Sequence, residues 1–123
     1  MKLILIIGIG SFLGGIFRFG LSQLIQGKFI STFPYGTLGV NIIGCLVIGV
    51  VIALSERTVL SAEWRLFLAT GICGGFTTYS AFSGETFSML RDGQFYTAAI
   101  YILSSLILGV LFTFIGYSLP RFI

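Results

Sequence analysis

The residues best suited to handling an ion lie in one run, Gly-Ile-Cys-Gly-Gly-Phe-Thr-Thr-Tyr-Ser-Ala-Phe-Ser, from Gly71 to Ser83. The run sits inside an apolar stretch, residues 66–89, whose one charge is Glu85. Glycine and threonine are poor helix formers, so the three glycines and the Thr77-Thr78 pair predict a membrane helix that breaks in its middle. Lipid supplies no hydrogen bonds, so backbone groups freed by such a break must be met by protein, trapped water or an ion. Interrupted helices of this kind mark ion and substrate sites. Past the break, Tyr79 and Phe82 stand three apart and Thr78 and Phe82 four apart, which sets two aromatics and a hydroxyl on one helical face. A tight crossing of small residues accounts for the glycines equally well.

Other polar residues are scattered through apolar surroundings. Asn41 is the single amide in an uncharged stretch from Tyr35 to Leu54, where it either bonds a neighbouring helix or lines a pathway. In the last apolar stretch Ser104 and Ser105 stand three and four residues from Tyr101 and share its face, although serine in a membrane helix often bonds only its own backbone. Arg18, near the far end of the first stretch, is placed to snorkel toward headgroups. Cys45 and Cys73 are far apart, without metal-ligand spacing, and read as small packing residues. No nucleophile, base or metal set is present, so an enzyme is not expected.

Four apolar spans must position these groups, at about residues 3–25, 35–54, 66–90 and 95–119 of a single membrane domain. With 56% hydrophobic and 9% charged residues the chain is an all-α integral membrane protein. The longest stretch outside a span is too short for a soluble domain. The N-terminal apolar run outlasts a signal-peptide core and is read as the first span. The net charge of +3 is spread over separate loops, which excludes a nucleic-acid patch. Lys2, Arg57, Arg65 and Arg121 fall on the side of the termini and Arg18, Lys28 and Arg91 on the other, so the positive-inside rule names no orientation. A chain without bias inserts both ways. Gly10 and Gly14, and beside them Ser11 and Gly15, are small residues four apart that let helices approach, and four short helices enclose little, so a homo-oligomer, most simply a two-fold dimer, is expected.

The run Gly74 to Ser83, followed by Glu85, resembles the signature third span of the Fluc (CrcB-type) fluoride channels. Gly14-Gly15-Ile16-Phe17-Arg18-Phe19 resembles the end of that family's first span, and Gly36 to Gly44 its second-span motif around Asn41. The resemblance covers nearly the whole chain. It implies an antiparallel, dual-topology dimer in a bacterial cell membrane, passing fluoride outward. It further implies Arg18 at the aqueous mouth, Asn41 and Phe82 in the fluoride pathway, Glu85 near the pore end, and Tyr101, Ser104 and Ser105 as hydroxyls beside the pore. A structural sodium ion is implied at the break, on the backbone carbonyls of Gly74 and Thr77; an unwound backbone at Gly74 would explain the glycine. Two positions depart from the family pattern: Tyr79 stands for a second phenylalanine and Ala81 for a threonine, which leaves room for a subunit that works beside a paralogue.

The chemistry agrees with that implication. Fluoride is small and strongly hydrated, so a pore must replace its water with donors, whereas a strong positive charge would trap it. Asn41 offers N–H, and Ser80, Ser83, Tyr101, Ser104 and Ser105 offer O–H. The rings of Phe82 and Tyr79 present a positive edge without a formal charge. The competing class, a small dual-topology proton-coupled multidrug exporter, expects a buried carboxylate in the first span, and there is none. A purely structural subunit explains the glycines but not Asn41, the threonine pair and the aromatics together.

Overall fold

In the computed structural model, which describes residues 1–122, apolar runs form α1 (Lys2–Gly27) and α2 (Tyr35–Glu56), each long enough to cross a bilayer. The next crossing is made by two rods, α3 over residues 62–76 and α4 over Tyr79–Arg91. The chain returns through α5 (Phe95–Ser118), which tightens into a 3₁₀ turn at Leu119–Phe122. Among the described residues all regular elements are helices, and leucine, isoleucine and phenylalanine cover much of the outer surface, as a multi-pass membrane protein requires.

The middle of α3, Leu66–Cys73, is wound as a π-helix, a form common at functional sites. The rod begins at Ala62, before the expected Leu66, because the Ser61 hydroxyl caps it by accepting the Trp64 N–H at 3.3 Å. Its far end corrects a sequence expectation. The backbone leaves the helix at Thr77 (φ −93°, ψ 147°) and Thr78 (φ −142°, ψ 118°), while Gly74 is helical at φ −63°, ψ −38°. The β-branched pair favours extended backbone and makes the break, so Gly74 is not there for freedom in φ.

The glycines serve close approach. Gly10 and Gly14 of α1 lie against the backbone of α3 at Gly71 and Ile72, and Gly75 lies against Ser11. Gly49 of α2 faces Thr113 of α5, and Gly116 of α5 faces Leu46 of α2. The small residues expected to serve an oligomer are therefore used mostly between helices of one chain, while Gly8, Gly15 and Gly20 face open space. The result is two tight pairs, α1 with α3 and α2 with α5, and α4 leaning on α5.

The two ends are tied differently. At the end holding the termini, Lys2 pairs with Glu63 at 2.8 Å, Arg57 donates to the Pro120 carbonyl at 2.8 Å, and the Tyr117 hydroxyl donates to Glu56. At the other end the side chain of Gln26 bonds the first loop and the start of α2. A small core of Met89, Ala98 and Tyr101 lies just inside, with Phe33, Leu38 and Phe82 packed on it.

Candidate functional site

The site is built around the interruption. Thr77 turns both its N–H and its hydroxyl back to the Cys73 carbonyl, at 3.0 and 2.9 Å. Thr78 N–H, which a continued helix would give to Gly74, donates to Asn41 Oδ1 at 3.3 Å. The Thr78 hydroxyl accepts from Ala81 N–H at 3.4 Å and so caps α4. Helix ends leave their last carbonyls without ladder partners and partly negative, so the end of α3 presents hard oxygen donors, the kind a small hard cation takes. Gly74 is exposed and Thr77 half-buried on this face. Among the described residues no cluster of histidine, cysteine and carboxylate competes for a metal.

A groove of about 430 Å³ opens over the break, lined among others by Asn41, Gly74, Thr77, Thr78, Tyr79, Phe82 and Ser105. None of its lining residues is charged. Asn41 accepts through Oδ1, so its N–H₂ is the group left to donate. Three rings follow one another beside the groove: Tyr79 to Phe82 at 6.0 Å between centroids and Phe82 to Tyr101 at 5.0 Å. Tyr101 is wholly buried, yet its hydroxyl has no partner among the described residues, and neither has that of Ser105. Buried hydroxyls without acceptors are rare in native proteins, and these two are donors that the fold leaves uncommitted.

The remaining candidates separate. Ser104 donates to the Tyr101 carbonyl at 3.2 Å and is not in the groove wall, the backbone-bonded role common for helical serine. Ser80 is exposed and bonded to the Thr78 hydroxyl at 3.0 Å, and Ser83 is half-buried outside the groove wall. Arg18 lines a separate recess of about 180 Å³ that runs past Ser22 and Thr37 to Thr78 and Ala81. Glu85 accepts from the Thr37 hydroxyl at 2.7 Å, which ties α4 to α2. Thr37 was not among the sequence candidates, although it stands four residues before Asn41 on the same face of α2. Tyr79, 81% exposed, lines the groove with its ring 6.0 Å from that of Phe82 and is otherwise uncovered.

Residues 5–117 match the family model described as CrcB-like protein, Camphor Resistance (CrcB). The chain is 44% identical over 119 residues to a fluoride-specific ion channel FluC of Thermus thermophilus, covering 97% of this chain and 95% of the relative. It is 42% identical over 120 residues to the FluC of Chlorobium phaeobacteroides, covering 96% and 92%, and 40% identical over 116 residues to that of Phocaeicola vulgatus, covering 94% and 96%.

Proposed function

The chain belongs to the CrcB-like family, and from that premise we propose that it is a passive, fluoride-selective channel through which fluoride leaves the cell. It is a membrane channel protein rather than an enzyme. One observation carries the reading: beside the broken span the wall offers hydrogen-bond donors and ring edges and no fixed charge. An anion that must surrender its water finds the Asn41 amide and the Ser105 hydroxyl in the wall, with the buried Tyr101 hydroxyl beside them. Phe82 and Tyr79 turn ring edges to it. Arg18 draws anions to the recess without holding them at the narrowest part, and Glu85, tied to Thr37 of that same recess, lies at the same end.

The pathway is completed by a second copy inserted the other way up. The near balance of basic residues between the two ends and the exposed Tyr79 ring support this antiparallel arrangement. The carbonyls of Gly74 and Thr77 would hold a structural sodium ion, whose charge offsets the partly negative helix ends brought together near the midplane.

The test is anion efflux from liposomes holding the purified protein, with fluoride and chloride compared. Fluoride leaves rapidly and chloride does not. Equal passage of chloride, or efflux that needs a proton gradient, defeats the reading, and the latter restores the exporter.

A further inference from the structure

Gln26 lies in the last turn of α1, yet all three of its side-chain hydrogen bonds leave that helix. Its Nε2–H₂ donates to the carbonyls of Ser31 and Phe33 at 3.2 and 3.1 Å, and its Oε1 accepts the Gly36 N–H at 2.9 Å. Pro34, at the start of α2, supplies no side-chain cap, so a side chain from another helix does that work. One amide thereby folds the first loop back over the end of the bundle. The loop brings Phe33, half-buried, edge-on to Tyr101 with centroids 5.5 Å apart at 79°. Tyr35 backs Phe33 at 4.7 Å, and Phe29 stacks on Tyr35 at 4.3 Å. Tyr101 is therefore held between Phe33 and Phe82.

We propose that Gln26 and Phe33 form a latch that positions Tyr101, pressing its ring against Phe82 and keeping water from its unpartnered hydroxyl. Both are positioning residues and act through Tyr101. The Thr37 side chain, already given to Glu85, lies near the Tyr101 hydroxyl but makes no bond of good geometry with it, so that hydroxyl is a donor in reserve, and the first water to reach it would take that donor. Closing the latch keeps the site dry, so an arriving anion need not displace solvent. The consequence for transport rests on the channel reading above; the dryness of Tyr101 does not.

Two variants open the latch in different ways. Gln26→Glu keeps an oxygen for Gly36 N–H but sets a carboxylate against the carbonyls of Ser31 and Phe33. Phe33→Leu leaves Gln26 intact and removes the ring. The readout is the ¹⁹F resonance of 3-fluorotyrosine placed at position 101, recorded in H₂O and D₂O with the dimer monodisperse. The wild type shows no solvent isotope shift, and each variant gains one. Fluoride efflux falls by about threefold to tenfold in both, as expected for a donor lost to solvent, and neither change lowers it further in a Tyr101→Phe background. A solvent-shifted resonance in the wild type, or an unshifted one in Phe33→Leu, overturns the latch. A wild type that passes no fluoride defeats the channel reading, and the resonance still decides the latch.

Discussion

Asn41 has two ends with separate duties. Its oxygen holds Thr78 N–H at the break, which leaves its N–H₂ as the free donor of a residue that lines the groove. Asn41→Asp keeps the first and replaces the second with an anion, so the protein folds and assembles while fluoride efflux falls by about a hundredfold, the scale of a like charge set in the path. Phe82 touches both Tyr79 and Tyr101. Phe82→Ile removes the ring edge and lowers efflux by about tenfold, roughly the worth of one aromatic edge interaction, with an unchanged elution profile. Tyr79→Phe is mild if the ring edge is what serves the ion, and severe if the hydroxyl has become a donor; the ratio of the two rates settles its role. Asn41 and Phe82 were legible because an amide or a ring face in an apolar span stands out by type. Thr37 and Gln26 were not, because their meaning lies in partners, Glu85 at 48 positions' distance and the first loop. Ser104 and Ser105 looked alike in sequence, and only their rotation on α5 separates the backbone-bonded one from the unpartnered one.

At the scale of the element, the interrupted span was evident and its hinge was not. Composition marks the glycines and the threonines together, and only backbone angles show that the threonines break the helix while the glycines pack. Neighbouring glycines consequently differ in tolerance. A Cβ on Gly75 would come within 2.5 Å of the Ser11 carbonyl oxygen and 2.9 Å of its Cα, whereas one on Gly74 meets only the Ala69 carbonyl oxygen, at 3.9 Å. Gly75→Ala therefore forces α1 and α3 apart and costs about 1–3 kcal/mol. Gly74→Ala leaves the single chain unperturbed. Thermal unfolding of the two variants side by side checks this, and equal midpoints contradict the assigned packing.

For the whole molecule, the basic residues are nearly balanced between the two ends, and their partners agree with that division. Lys2 and Arg57 bond across the end that holds the termini, while Lys28 and Arg91 belong to the other. A single cysteine at Thr32, in a background lacking Cys45 and Cys73, should react with an impermeant reagent from both faces of the membrane. Labelling of more than about nine-tenths of molecules from one side contradicts dual insertion. The proposed sodium site makes its own prediction. Replacing sodium by choline should lower the unfolding temperature of the purified protein by several degrees, since an ion bound only by the folded, assembled state would stabilise it by mass action. An unchanged midpoint argues against the ion. An all-helical, multi-pass chain was readable from hydropathy, but hydropathy cannot reveal that most of the glycines in the expected spans serve contacts inside one chain.

The broken third crossing also imposes an order on biogenesis. Residues 62–76, their middle wound as a π-helix, rise at most roughly 22 Å and Tyr79–Arg91 roughly 20 Å, each short of the roughly 30 Å of hydrocarbon, so neither rod is a stable insert alone. As the segment leaves the ribosome, the amide exposed at Thr78 needs an acceptor at once. Asn41 lies 37 residues upstream and is synthesised first. Synthesis from the N-terminus thus delivers the acceptor before the donor that requires it, and a circular permutant that reversed this order would expose the break to lipid.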